Sequence, residues 1–461
     1  MIRSYALSPE WSALDVSDID EDEELKPIEA RQKVYDLCTD LGQQLAADPK
    51  QFDALLPEIV AADSSKVFML GRGLAAGCDS LSGCWSRLRD EFLKIPEAQR
   101  HAQFLAGFLA SAVTCSPGET EVLLDAVLSD SRLHPYLLYW QANAGINGKA
   151  FNRMMKALAI DTVPVSTFGL LANGRVHEGL DDEQLRQVLR GVMTKEGGNG
   201  VATLILGMRV FGRVTEKLPI SESLKATSRE FLAKVELVKG VQHDHMIGQV
   251  IDLAFDKPEH EDQARAFTSR ILSAIRSWKV YASDLGEVIT ALTKTFPAVT
   301  LDILVEQAVG DEGTGRTVFQ DIRSDRACPL DHIPDDVWMA WAAQKPETRY
   351  ELLARVMRFS NAGDEDHATG WSSAAMRLIE VAPEPERILD TFLQRFRPNG
   401  WSGSLADTLA TRTPLIEALK HHSKPEVAAW ANEHAPAFAA HIDRERAREA
   451  AEDRARDQTF E

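Results

Sequence analysis

The chain has 461 residues, enough for a large buried core, and carries 70 acidic against 51 basic side chains for a formal net charge of -19. That balance argues against a broad phosphate-tracking surface, which needs clustered Lys and Arg, so no nucleic-acid partner is expected. Five cysteines (Cys38, Cys78, Cys84, Cys115 and Cys328) are odd in number and scattered, with no C-x-x-C pair; all five read as reduced thiols, mostly core fillers.

Residues 1–25 contain an acidic run from Asp18 to Glu24 and little periodicity, and read as a disordered arm. No apolar targeting stretch follows Met1, and no segment approaches the roughly 20 apolar residues of a membrane span. The expected location is cytoplasmic, with no membrane partner.

Residues 26–160 read as N-terminal helical repeats with junctions at Pro49 and Pro96. Gly71-Arg-Gly73-Leu-Ala-Ala76 follows a strand-like run and looks like a dinucleotide fingerprint, but no second β-α-β unit follows it. Close helix packing at Gly71, Gly73 and Gly77 explains these glycines better. Pro164, Gly169 and Gly174 interrupt the pattern, so 161–180 is expected to be a joint.

From 181 to 442 the periodicity is that of further helical repeats. Leu185, Val188, Leu189 and Val192 fall at i, i+3, i+4 and i+7, the apolar stripe of an amphipathic helix, and Asp181 with Gln184 predicts a capping box. Leu285, Val288, Ile289 and Leu292 give a second such stripe, with Asp284 and Glu287 expected to form its capping box. Val201 to Leu206 is apolar and partly β-branched, but isolated, and is taken as helix.

Prolines 258, 297, 346, 383 and 425 each precede an apolar-periodic run, at intervals of 39, 49, 37 and 42 residues. Proline suits the first helical position, where its missing N–H has no intrahelical partner. The interval matches the roughly 40–47-residue period of HEAT and armadillo repeats. The fold class expected is all-α: a right-handed HEAT/armadillo-like α-solenoid of stacked antiparallel helix pairs. Such stacks build long concave surfaces that bind proteins or peptides.

Chemistry-bearing motifs are incomplete. Gly310 to Thr317 nearly matches a P-loop, but Arg316 stands where lysine should reach the phosphates, and a helical pattern precedes it. Gly400-Trp-Ser402-Gly-Ser404 lacks the last glycine and the strand of a nucleophile elbow, so Ser402 or Ser404 is expected to cap the next helix. His243-Asp244-His245 has the wrong spacing to converge from a helix on a metal. His421, His422, His434 and His441 are taken as exposed helix-end residues. No catalytic, cofactor-binding or metal-binding residue is expected.

Trp338, Trp341, Trp371, Trp401 and Trp430 cluster in the last third, near Arg349, Arg355, Arg358, Arg377, Arg387, Arg395 and Arg397. Core packing accounts for most tryptophans at helical spacing. Trp338, Trp341, Trp371 and Trp401 are nevertheless the candidate anchors of a groove over 320–430, and the arginines suit an acidic partner. Residues 443–461 alternate charge with alanine and read as a solvated terminal helix that also closes the stack.

Taken together, LGRGLAAG (70–77), AQFLAGFL (102–109), CPLDHIPDDVWMAWAAQKPETRYELLA (328–354), RFRPNGWSGSLA (395–406) and the ending DRARDQTFE resemble the C-terminal helical-repeat region of large bacterial STAND-type NTPases that act in anti-phage defence. The resemblance runs from about residue 30 to the end. It implies a sensor that recognises an invader protein, or works beside a separately encoded NTPase or effector. No catalytic residue of that family carries over. A structural scaffold in a larger assembly is the alternative; an enzyme with an unrecognised site ranks third.

Overall fold

A computed structural model describes residues 1–8, 27–239, 243–308, 329–361, 370–398 and 401–460, without the side chains of 27–30 and 456–460. The chain divides into two compact units, Met1–Thr227 and Ser228–Glu461. Both are all-helical among the described residues, and the one β-bridge, Ser360 to Trp371, is isolated.

In the first unit the long helices are α1 (Pro27–Ala47), α2 (Pro49–Ala61), α3 (Val67–Gly77), α4 (Leu81–Lys94), α5 (Gln103–Cys115), α6 (Pro117–Ser129), α7 (Leu137–Ala144), α8 (Gly148–Leu158), α9 (Asp182–Met193) and α10 (Gly198–Thr215). From α1 to α8, helices pack on the next but one. α1, α3, α5 and α7 form one row, and α2, α4, α6 and α8 form the other. A 3-10 segment, Val165–Ala172, continues the first row between α7 and α10, burying Phe168 and Leu171. The joint expected at 161–180 therefore lies inside this unit as a packed element. The arm expected at 1–25 lies outside the described residues from 9 onward, but its first residues are docked. Ile2 and Ala6 are buried, and Arg3 pairs with Glu58 at 2.7 Å.

Glycines set the spacing of the first row. A methyl group added at Gly71 would stand 2.9 Å from the Phe108 nitrogen and closer still to the Phe104 carbonyl. One added at Gly73 would run into the Thr39 carbonyl, and one at Gly107 into the Phe68 carbonyl. The backbones of α1, α3 and α5 thus touch where no side chain fits, which is the packing role expected of Gly71 and Gly73. Trp85, Phe92, Phe108 and Trp140 fill the space behind this seam, with Trp85 and Trp140 edge-to-face at 5.5 Å.

The second unit contains the end of α11 (Glu222–Lys234), then α12 (Asp244–Ala254), α13 (Glu261–Arg276) and α14 (Gly286–Thr295). α15 (Pro297–Thr300) continues as a π-helix over Leu301–Gln307, and is followed by α16 (Asp335–Ala342), α17 (Pro346–Val356), α18 (Ser373–Val381) and α19 (Pro385–Gln394). α20 (Leu405–Ala410), α21 (Thr413–Leu419) and the 36-residue α22 (Pro425–Phe460) complete it. The next-but-one pattern recurs: α12 on α14, α13 on α15, α16 on α18, α17 on α19. Prolines 297, 346 and 425 open helices as expected. In APEPE it is Pro385 that does so, two residues after the expected Pro383, because Glu384 takes the cap position. Pro258 opens a 3-10 turn that leads into α13.

Polar side chains tie neighbouring helices at a repeat-like separation. Glu119 accepts the Ser82 N–H at 2.8 Å, 37 residues away, and Asp244 accepts the Glu287 and Val288 N–H groups at 2.8 and 3.0 Å, 43 and 44 residues away. Glu449, in the charged terminal helix, accepts the Leu405 N–H at 2.7 Å, 44 residues away. Each of these carboxylates covers the open amide end of another helix. Carbonyl ends are covered likewise: Arg270 donates to Leu232 O at 2.6 Å and to Val235 O, and Arg395 to Met357 O at 2.8 Å and to Ala354 O.

The capping box at Asp181 and Gln184 forms as predicted, with the Gln184 N–H donating to Asp181 at 2.8 Å. The one expected at Asp284 and Glu287 does not. Asp284 accepts the Tyr281 N–H instead, and Asp244 caps α14. Cys78 and Cys84, expected to be reduced, are joined by a disulfide across the turn from α3 to α4. Cys38 is buried, Cys115 is exposed, and Cys328 lies outside the described residues.

Candidate interaction surface

Of the four tryptophans expected to anchor a groove, three are interior. Trp338, Trp341 and Trp371 are 3%, 2% and 8% exposed. The Trp341 indole N–H donates to Asp302 at 2.9 Å, and that of Trp371 to the Leu415 carbonyl at 2.7 Å. Indole N–H groups taken from water need such acceptors, and these rings serve the core. Trp401 alone is at the surface, 44% exposed, with the Arg397 guanidinium 5.9 Å from its ring centre.

The neighbouring arginines are largely committed. Arg349 is buried and donates to Asp302 at 2.9 Å, Glu306 at 2.6 Å and the Trp341 carbonyl at 3.0 Å, with its guanidinium 4.2 Å over the Trp341 ring. Arg358 pairs with Asp331, Arg355 with Glu351, and Arg387 with Glu351 and Glu384. Four of the seven arginines expected to suit an acidic partner are therefore paired with carboxylates in place. The first unit contains a near copy of the Arg349 device. Buried Arg153 donates to Glu121 at 2.9 Å, to Asp125 at 2.8 Å and to Gln141, as Arg349 does to Gln344. In both, two carboxylates four residues apart on the preceding helix of the row share one arginine.

Between α6, α8 and α9 lies a cleft of about 710 Å³. It opens at the amide ends of α6 and α8, beside Pro117, Gly118 and Gly148, and is lined by Asn147, Lys149 and Asn152. Glu121 also faces it, but its carboxylate is held by Arg153 and by the Asn147 amide at 2.8 Å. Asn147 is also committed, donating to Glu121 and accepting the Ala150 N–H at 2.9 Å, which leaves Lys149 and Asn152 as the free polar lining. The cleft offers polar contact. An added methyl at Gly118 or Gly148 would meet nothing within 4 Å.

The other motifs are placed without convergence. Asp244 of His243-Asp244-His245 faces the end of α14, where burial pushes its carboxyl up against the two amide hydrogen bonds that lower it. Among the described residues no group of three or more His, Cys, Asp or Glu is disposed to hold a metal. Ser404 caps α20 through the Asp407 N–H at 3.0 Å. His434 stacks on Trp430 with ring centres 4.3 Å apart. The P-loop-like 310–317 lies outside the described residues.

The described residues thus define an all-helical protein whose helices stack in rows within each unit. No described helix is long and apolar enough to cross a membrane. The chain matches no family model and no curated protein sequence.

Proposed function

We propose that the chain is a non-enzymatic recognition module, a right-handed HEAT/armadillo-like α-solenoid that binds a protein partner in the bacterial cytoplasm. The observation that carries this is the recurring tether between helices 37 to 44 residues apart, such as Glu119 to Ser82 and Glu449 to Leu405. Side chains spent on joining repeats to one another build an extended surface, which is what repeat proteins use for binding. The partner in this proposal is an invader protein, and the role is sensing in anti-phage defence, as the resemblance to STAND sensor regions suggests.

A purified full-length chain is expected to release no phosphate from ATP or GTP above buffer. Sustained turnover abolished by Arg316→Ala would contradict the non-enzymatic assignment and return attention to the P-loop-like segment.

A further inference from the structure

The C-terminus of α13 carries a residue that backbone geometry disfavours. Trp278 has φ +55°, in the left-handed region. Its N–H donates to Ile275 O at 3.0 Å, and that of Lys279 to Ala274 O at 2.9 Å. This paired closure of a helix end calls for a left-handed residue, and glycine fills it at no steric cost. The other described non-glycine residue with positive φ is Lys217, a polar side chain.

Burial does not explain the tryptophan, because Trp278 is 60% exposed. Tyr281, 40% exposed, stands edge-to-face to it with ring centres 6.5 Å apart. The Lys239 ammonium lies 4.3 Å from the Tyr281 ring centre and donates to its hydroxyl at 2.9 Å. A strained residue that gains nothing from the core points to a role outside it. Two exposed aromatic rings side by side on a closed helix end offer a large contact area, and each has only two side-chain torsions to immobilise on binding.

We propose that Trp278, Tyr281 and Lys239 form a docking point for an acidic segment of a partner protein, one carrying an apolar side chain next to its carboxylate. This rests on the recognition module proposed above. Tryptophan and tyrosine are the residues that most often dominate binding energy at interfaces. The sign of the partner follows from local charge. Lys239 is held at the aromatic pair and Lys279 is exposed beside it, two cations against the one carboxylate of Asp284, which accepts the Tyr281 N–H at 3.2 Å. On a chain of net charge -19, this positive spot selects an acidic segment through charge complementarity.

The test pans displayed random peptides on the immobilised full chain, then measures affinities of the enriched peptides as synthetic molecules. Enrichment of peptides that pair an acid with an apolar residue is expected. Trp278→Gly is the informative variant, because glycine adopts the same φ without strain. Its thermal midpoint should hold or rise while peptide affinity falls about thirtyfold. Lys239→Glu should remove the preference for acidic over neutral peptides. If the enriched peptides bind both variants as tightly as the wild type, the docking point is wrong and the recognition module stands. Enrichment of basic peptides overturns the acidic partner. No enrichment on the wild type contradicts both the module and its docking point.

Discussion

Replacing Arg349 with methionine is expected to destabilise the second unit by about 3 kcal/mol, the lower end of the range for breaking a buried ion pair. The guanidinium is almost fully buried, so its loss leaves Asp302, Glu306 and the Trp341 carbonyl without their shared donor. The two carboxylates keep about a quarter of their exposure, and the water that reaches them moderates the penalty. Arg349→Lys should cost less, since it keeps the charge but loses the fork and the planar contact with Trp341. The same pair gives the protein a pH dependence of known sign. The Arg349 hydrogen bond holds Glu306 below the usual glutamate range. That contribution is complete above the unfolded pKa and is lost as pH falls through the lower folded one. Urea unfolding of wild type and Arg349→Met at neutral and acid pH should show the gap between them narrowing at acid pH.

Gly73→Val is expected to cost about 3 kcal/mol, and Gly107→Val a similar amount, at the overpacked end of core substitutions. The added atoms meet the Thr39 and Phe68 carbonyls, which belong to helix backbones and cannot rotate aside. Relief requires α1, α3 and α5 to move apart, opening the core around Phe104 and Phe108. Gly118→Ala is the matched control. Its methyl meets nothing within 4 Å, so reduced freedom in the unfolded chain should stabilise the protein by about 0.5 kcal/mol. Urea unfolding gives the magnitudes. Amide exchange that accelerates in α3 and α5 of the valine variants, and in neither for Gly118→Ala, assigns the loss to this seam.

The helices were legible in the sequence because their signals are local. The stripe Leu185, Val188, Leu189 and Val192 is buried as its spacing predicts, and Asp181 caps its own helix. Pro297, Pro346 and Pro425 mark true helix starts. Gly71 and Gly73 could be assigned to packing because no second β-α-β unit follows them. What the sequence hides is decided by partners a repeat away. Asp284 sits at the right distance before a periodic run, yet the cap of α14 comes from Asp244. Arg349, Arg355, Arg358 and Arg387 look suited to an acidic partner until their carboxylates are placed opposite them. Trp341 and Trp278 are indistinguishable as letters; one fills the core and the other stands in solvent on a strained helix end. Nothing within a few residues of Cys78 and Cys84 announced their disulfide, which depends on how α4 turns back from α3.

Partner recognition is tested most directly by capturing the tagged full-length chain from bacterial cells before and after phage infection and identifying bound proteins by mass spectrometry. A phage-encoded protein that appears only after infection, and that then binds the purified chain directly, is the expected result. A host protein bound equally in both states would contradict sensing and make the chain a scaffold.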